Sequence, residues 1–227
     1  MKHFLRLVTA PLFAGALLVS GTAGPATANT TAADTTANTT VDTTETDAEL
    51  AAEWQTAWDT HAFYDTTPPA PGSGRSRATT EISIEIDRPV GQVFSAYSNL
   101  DNHIGVNPFL KRVATHADSR RHGTRYVNLT AIEEIPYQGT TVTNKVHAQQ
   151  RLHTAGFFYE TDTWSEPDVV THQMITFKQV GDGRTLVTEK LTFDADTALI
   201  DFVAANGTAS HQQTQAGLKQ AIEQGAG

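Results

Sequence analysis

The chain has 227 residues, no cysteine and a formal net charge of -9 at pH 7. This length fits one domain with additional segments, and the absence of cysteine excludes disulfides, cysteine nucleophiles and cysteine metal ligands. The acidic balance gives no reason to expect a nucleic acid as a partner.

The N-terminus has the pattern of a secretory signal peptide. Lys2 and Arg6 are basic, residues 12–19 form a short apolar run, and Ala26-Thr27-Ala28 is a small-residue cleavage motif. The apolar run is too short to span a bilayer as a helix of the mature protein. We therefore predict that residues 1–28 are a signal peptide. The mature protein would then be secreted, extracellular or periplasmic, with no integral membrane segment.

Composition divides the rest of the chain into an arm, a short helix, a linker and a domain. Residues 29–46 are Thr/Asp-rich with almost nothing to bury, which predicts a disordered arm. Residues 67–77 are rich in Pro and Gly and predict a linker. The compact domain is predicted over residues 78–224.

Residues 47–66 predict a short amphipathic helix and the residues that follow it. Thr46 and Glu49 have the spacing of a capping box. Leu50, Trp54 and Trp58 repeat every four residues on one face of that helix. Two tryptophans outside the domain need a partner surface. The helix either docks on its own domain, or binds another protein, or covers a ligand entrance.

The domain opens with a strand and a helix. Ile82, Ile84 and Ile86 alternate with polar residues, which is typical of a half-buried strand. Asp87 and Pro89 then predict the cap and first turn of a helix. Six strand-like runs separated by turn residues follow, at about 109–117, 123–135, 139–149, 151–164, 169–180 and 184–193.

A long helix is predicted from Asp196 to about Gln224. One of its stripes is apolar at both ends but small or polar in the centre; it consists of Leu199, Val203, Asn206, Ser210, Gln213, Gly217 and Ala221. Either the centre of the stripe faces a cavity, or the helix bends near Gly207 and its middle is solvated. The helical wheel alone does not separate these two interpretations.

This order of elements resembles the START-related, polyketide cyclase–Bet v 1-like (SRPBCC) superfamily over about residues 79–224. Residues 84–94 (IEIDRPVGQVF) resemble its opening strand and helix, and residues 98–101 and 106–109 the segment after them. Residues 216–223 resemble the end of its last helix. The resemblance implies an α+β helix-grip fold, in which a seven-stranded antiparallel sheet curls around the long C-terminal helix and encloses an apolar cavity. It favours a cavity-lining role for Asn206, Ser210 and Gln213.

The Gly181-Asp182-Gly183 turn predicts the register of the last hairpin. A three-residue loop pairs Phe177 with Val187 and Ile175 with Glu189. Glu189 then lies among apolar neighbours on the concave face, where its pKa would be raised unless it is paired. Glu189 is either a polar contact for a ligand or a structural partner of an interior Arg such as Arg125.

The candidate ligand-binding residues are those that the pattern or the resemblance places toward the concave side. They are Tyr97, Phe109, Arg125, Tyr126, Asn144, Phe158, Phe177, Glu189, Asn206 and Ser210. We assign no catalytic residue and no cofactor. The nine histidines lack metal-ligand spacing, so scattered surface or strand histidines explain them better than a metal site does.

Three functional hypotheses follow. The first is a secreted binding or carrier protein for a hydrophobic small molecule, lipid-like or aromatic, in an internal cavity, and it needs no enzymatic activity. The second is an enzyme resembling polyketide cyclases or dehydratases, with Glu189, Arg125, Tyr126 or Tyr159 as candidate groups. The third is a protein-interaction module that uses the Trp54/Trp58 helix.

Overall fold

The computed structural model describes residues 45–137 and 139–225. The predicted signal peptide and nearly all of the predicted arm lie outside these residues. Within them, no helix combines the length and the apolar character needed to cross a bilayer.

One antiparallel sheet of seven strands is the centre of the fold, with spatial order β1-β7-β6-β5-β4-β3-β2. The chain runs from helix α1 through β1, helix α2, the other six strands and helix α3. Their bounds are α1 Asp47–Thr60, β1 Arg75–Ile86, α2 Val90–Ser98, β2 Leu110–Arg121, β3 Thr124–Tyr137, β4 Thr140–His153, β5 Phe158–Ser165, β6 Val169–Val180, β7 Arg184–Asp196 and α3 Ile200–Glu223. The predicted α+β architecture is confirmed.

The register of the β6–β7 hairpin is the predicted one. Ile175 pairs with Glu189 and Phe177 with Val187, and Gly183 has a φ of 79°, in the left-handed region that glycine adopts without strain. The face that the hairpin turns inward therefore carries Ile175, Phe177 and Val187 together with the Glu189 carboxylate.

The main core lies between the concave face of the sheet and helices α2 and α3. Tyr97 of α2, Ile175 of β6 and Leu218 of α3 are almost completely buried there. Burial of large apolar side chains is the main stabilising contribution to such a core. A second core, around Leu191 and Phe193, fills the space under the beginning of α3.

Gly207 lets α3 approach the sheet closely. A Cβ atom on this residue would lie 2.7 Å from the Phe193 ring, closer than real Cβ contacts come. Glycine inside a helix costs about 1 kcal/mol relative to alanine, so close packing of the ring explains the residue better than a bend does.

The convex face of the sheet carries α1. Leu50 packs with Ala114 and Ile132, and the Trp54 indole Nε1 donates a hydrogen bond to the Ala148 carbonyl at 2.8 Å. The Thr46–Glu49 capping box is present as predicted. Of the alternatives for the tryptophan helix, the structure has the one in which it docks on its own domain. Trp54 is 5% exposed and is not available to another protein.

Several predicted boundaries are wrong. Strand β4 continues to His153, because the break comes later, at a short 3-10 helix (Thr154–Gly156) and the left-handed Phe157. Asp87 does not cap α2, whose N-cap is Pro89 without a side-chain hydrogen bond. Helix α3 begins at Ile200, four residues later than predicted, because β7 extends to Asp196.

Candidate functional site

The side of α3 that faces the sheet is one position away from the predicted stripe. The inward residues include His211, Thr214, Gln215 and Leu218, of which the last three are buried. Asn206 is exposed, and its side-chain amide donates back to the Phe202 carbonyl at 2.8 Å. The predicted cavity-lining role of Asn206 and of the equally exposed Gln213 is therefore wrong.

Glu189 is the centre of a buried polar cluster between β7, α2 and α3. Only 2% of the residue is exposed. Its Oε1 accepts hydrogen bonds from the Tyr97 hydroxyl and, at 3.0 Å, from the Gln215 amide. Its Oε2 accepts from His211 Nδ1 at 2.8 Å. Three donors thus satisfy a carboxylate that would otherwise be costly to bury.

The two charged members of this cluster stabilise each other. Burial alone would raise the pKa of Glu189, but the hydrogen bond and positive charge of His211, with Tyr97 and Gln215, lower it below its ordinary value. Burial opposes a charge on His211, yet its hydrogen bond to Glu189 and the charges of Glu189 and Glu133 raise its pKa. The pair is therefore a carboxylate and an imidazolium in slightly acidic solution.

Glu133 adds a second carboxyl group to the neighbourhood of His211. It pairs with Asn144 across β3 and β4, and the Asn144 amide donates to it at 3.3 Å. Burial raises the pKa of Glu133, while Asn144 and the charge of His211 act in the opposite direction. The His211 side chain retains 26% of its accessible surface. In the part of the chain that the structure describes, its Nε2 makes no hydrogen bond, so this nitrogen is open to a ligand.

A cleft of about 630 Å³ lies on the same concave face, between α2, the 3-10 helix Leu100–His103 and strands β2–β4. Its deeply buried lining includes the apolar side chains Phe94, Val127, Leu129 and Leu152 and the polar side chains Ser98 and Gln150. Its exposed lining consists of Gly91 and the polar residues Ser95, Asn99, Asp101, Thr115, Arg120 and Thr154. Such a distribution suits a molecule with an apolar body and a polar end.

Arg125 is the candidate that lines this cleft. Its guanidinium forms a two-point ion pair with Asp118, with distances of 2.9 and 2.8 Å. The hydrogen bond from Arg125 lowers the pKa of Asp118. The expectation that Arg125 would neutralise Glu189 is therefore wrong, because histidine, tyrosine and glutamine side chains satisfy Glu189 instead.

The other candidate residues lie elsewhere in the fold, and none of them is in the lining of the cleft within the described residues. Tyr97 and Glu189 belong to the buried cluster, Phe177 is a core residue in contact with Phe94, and Asn144 bonds Glu133. Tyr126 and Phe158 point to the convex side, where Tyr126 lies under Arg121 and Phe158 stacks on His153. Phe109 is half-buried and directly precedes β2. Ser210 is half-buried, and its backbone carbonyl accepts a hydrogen bond from the Thr214 hydroxyl.

Three of the histidines lie inside the domain and not on its surface. His103 is buried and donates from Nε2 to the Tyr97 carbonyl at 2.8 Å, His147 is buried under α1, and His211 belongs to the Glu189 cluster. His211 is absent from the predicted candidate residues because its neighbours in sequence are polar. The spacing of His211, Gln215, Leu218 and Ile222 puts it on one helical stripe with two apolar residues, a signal that the sequence offers beside the stripe through Asn206. Among the described residues, no three His, Asp or Glu side chains are grouped as metal ligands.

No protein-family model matches the sequence, and no curated protein matches it either. Solved structures do resemble it. The di-domain ARO/CYC StfQ from the steffimycin biosynthetic pathway has a TM-score of 0.52 at 16% identity, over 63% of this chain and 45% of that one. This chain thus spans less than half the length of that protein.

Two single-domain proteins match over nearly their whole length. A START superfamily protein from Mycobacterium smegmatis has a TM-score of 0.51 at 16% identity, over 64% of this chain and 97% of that one. An 18 kDa protein from Caulobacter crescentus has a TM-score of 0.51 at 15% identity, over 65% and 97%. The chain therefore has the fold of these structures, in agreement with the helix-grip fold that the sequence resemblance implied. At these identities the similarity establishes the fold and leaves the function to the site.

Proposed function

We propose that the chain is an exported binding or carrier protein for an apolar small molecule that carries one polar group. The observation that supports this most directly is the cleft of about 630 Å³. Small-molecule pockets in proteins are typically roughly 300–1,000 Å³ with a mostly apolar lining and a few orienting polar groups. The fold adds support, since the START superfamily protein from Mycobacterium smegmatis shares it.

The parts of the proposed site have different roles. Phe94, Val127, Leu129 and Leu152 would contact the apolar body of the ligand, because they form the apolar part of the buried lining of the cleft. The ligand's polar end would lie at the exposed lining, beside Arg120 and Arg125. Because Arg125 is already paired with Asp118, a neutral polar group suits this end as well as an anionic one.

Export is the second element of the proposal. It is supported by the basic, apolar and small-residue regions of the first 28 residues. The measurement is the N-terminal sequence of protein recovered outside the cytoplasm of its source cell. It should begin at Asn29, and an intact Met1 terminus would contradict export by this signal.

Binding is tested by blocking the cleft. Ser95 is exposed on α2 and lines the cleft, so Ser95→Trp should fill it. Gln92 is equally exposed on α2 but lies outside the cleft lining, which makes Gln92→Trp a matched control. Native mass spectrometry of the purified protein should show added ligand mass, and an apolar fluorescent probe should bind. Both signals should be lost in Ser95→Trp and kept in Gln92→Trp.

Two outcomes would contradict the binding proposal. Protein without co-purified mass that also binds no apolar probe would argue against a ligand cleft. Equal probe binding by Ser95→Trp and Gln92→Trp would place the bound probe somewhere else.

A second candidate is an enzyme of the cyclase or dehydratase kind. The observation that favours it is His211, which lies near both Glu189 and Glu133 with its Nε2 open, since groups with shifted pKa values cluster at functional sites. Its test uses the co-purified molecule. Incubation with fresh protein should change the mass of that molecule, and His211→Gln should stop the change while keeping the binding. A molecule recovered unchanged supports the carrier.

A further inference from the structure

A strap of residues 45–66 covers the convex face, on the side of the sheet opposite the cleft. Its helical part, α1, contacts β2, β3 and β4. Its second part continues to β5 and β6, where His61 stacks on Trp164 with ring centroids 4.0 Å apart and Tyr64 stacks on His172 at 3.9 Å. The strap therefore lies over β2 to β6, and its end also contacts β1, where Arg77 donates to the Asp65 and Thr66 carbonyls at 2.7 and 3.1 Å.

Two histidines lie under this strap, joined by one hydroxyl group. His116 Nε2 lies 2.8 Å from Thr130 Oγ1, and Thr130 Oγ1 lies 2.9 Å from His147 Nδ1. Thr130 is fully buried. The Trp54 ring lies 6.4 Å from the His116 ring, and Trp164 stacks on His147 at 6.1 Å. The aromatic side chains of the strap and of β5 thus cover His147, which is 5% exposed, and part of His116, which is half-buried.

The hydrogen bonds of this group favour at least one neutral ring. When the Thr130 hydroxyl donates its one proton to a histidine nitrogen, that nitrogen is unprotonated, and the other histidine nitrogen donates to Thr130. Protonation of both rings would make both nitrogens donors and leave the Thr130 proton without a ring acceptor. In addition, His116 Nδ1 is buried without a hydrogen-bond partner among the described residues. A proton on this nitrogen would create a buried, charged and unpaired donor, which is costly.

The charges around the histidines come from the strap and from two strands. Lys145 of β4 binds Glu45 and Glu53 of the strap at 2.7 Å, and Arg112 of β2 binds Asp47. Lys145 opposes a charge on His147, while Glu45 and Asp47 weakly favour protonation of His147 and His116 respectively. The facing side chains of β3 and β5, Thr130 and Trp164, carry no charge. At the other end of the strap, His172 is held by Asp162 at 2.6 Å.

We propose that the strap is an acid-sensitive cover, which leaves the convex face when His116 and His147 take up protons. Burial lowers the pKa of both histidines, that of His147 to about 4, with Lys145 and His116 contributing to the latter. A histidine whose pKa is lowered by docking does not oppose docking above its free pKa near 6.5, where it is neutral in both states. As the pH falls toward about 4, the histidine is protonated more readily when the strap is undocked, so the docked state loses stability. In that range the undocking equilibrium should rise roughly tenfold per pH unit for each proton taken up.

The tryptophans give a direct readout. All three, Trp54, Trp58 and Trp164, lie in or under the strap. The test records tryptophan emission and amide hydrogen exchange of α1 in the purified chain from pH 7.5 to pH 4. We expect emission to shift to the red and exchange of α1, corrected for its intrinsic rate, to rise steeply. The exchange of β6 and β7 should stay slow, because the sheet keeps its core.

Matched substitutions separate the histidines from the carboxylates of the strap. His147→Asn and His116→Gln each place an amide where the bonded ring nitrogen was, so the double variant can keep the bonds to Thr130 but cannot take up these protons. We expect it to stay docked about 1–2 pH units further into acid than the parent chain. Glu45→Gln with Glu53→Gln should weaken docking at every pH without removing the steep rise.

Several results would overturn the proposal. One is an identical pH profile for the parent chain and the double variant, which would assign release to the carboxylates. Another is a strap that stays docked down to pH 4. If the double variant does not dock at pH 7.5, His147→Asn alone decides. The undocking equilibrium of this variant should rise about tenfold per pH unit as the pH falls, instead of about a hundredfold. The same pH dependence as in the parent chain would contradict the proposal.

Discussion

His211 Nδ1 donates a hydrogen bond to Glu189 Oε2 over 2.8 Å, and this contact joins the middle of helix α3 to the centre of strand β7. It is a charged contact inside a largely apolar domain. Because Tyr97 and Gln215 hold the other carboxylate oxygen, the position of Glu189 is set from both helices. The tautomer and orientation of His211 are set in turn by Glu189.

Removing the charge of Glu189 should lower the pKa of His211. In Glu189→Gln the pKa of His211, followed by NMR, should fall below that in the parent chain, because burial then acts without a compensating anion. The variant should also lose about 1–3 kcal/mol of unfolding free energy, because a hydrogen-bonded buried charge pair has lost one partner. Glu81→Gln, which makes the same change at an exposed position of β1, is the control. An unshifted His211 would show that the contact is absent in solution.

The same pair predicts a pH dependence of stability. The pKa of Glu189 is lowered by folding, so its contribution exists above about 4.5 and is lost as the pH falls. The pKa of His211 is raised, so its contribution exists below about 6.5 and is lost as the pH rises through the folded value. The stability difference between the parent chain and His211→Gln should therefore be larger in urea melts at about pH 5.5 than at about pH 8.5. A difference that grows toward alkaline pH would contradict the sign.

Gly207→Ala tests the approach of α3 to the sheet. Alanine would gain about 1 kcal/mol of helix propensity, but its Cβ would lie 2.7 Å from the Phe193 ring. Overpacking of this kind typically costs about 1–3 kcal/mol, so we expect a net loss of stability or no gain. Asn206→Ala, at the exposed neighbouring position, should be neutral or slightly stabilising in the same thermal melts. A clear gain from Gly207→Ala would mean that the helix sits further from the sheet.

The two tryptophans of α1 should respond differently to replacement by phenylalanine. Trp54→Phe removes the hydrogen bond to the Ala148 carbonyl at a buried position and should cost about 1–3 kcal/mol. Trp58 is 37% exposed, so Trp58→Phe should cost less than about 0.5 kcal/mol. Denaturant melts at neutral pH give both values. Equal losses would indicate that the helix is held by aromatic stacking alone.

Local turn chemistry explains why part of this architecture was predictable. Gly181 and Gly183 define a three-residue loop, and that loop fixes which residues of β6 and β7 share a face. The capping box at Thr46 likewise marks the start of α1 correctly. In both cases the deciding interactions join residues that are near in sequence.

The site depends on contacts between distant residues, which the sequence pattern does not determine. Helix α3 is polar in its middle, so the apolar residues at its two ends allowed a stripe through Asn206 as well as one through His211. Only the positions of Glu189 and Phe193 on β7 select the stripe that contains His211 and Gly207. The cleft has the same origin, since its lining comes from α2 and three strands that meet only in the folded domain.

The pairing of β1 with β7 has a consequence for the order of folding. It joins Arg75 to Asp196 and Ile82 to Glu189. Strand β1 therefore cannot pair with the sheet until β7 has formed. Contacts between residues so far apart close a large loop before they bring any stabilisation, and they slow folding. Strands β2–β7 can assemble through successive hairpins, while one edge of β7 stays open until β1 arrives. The final step of sheet formation should therefore be the slow capture of β1, and during that interval the open edge of β7 is the part of the chain most exposed to pairing with another molecule.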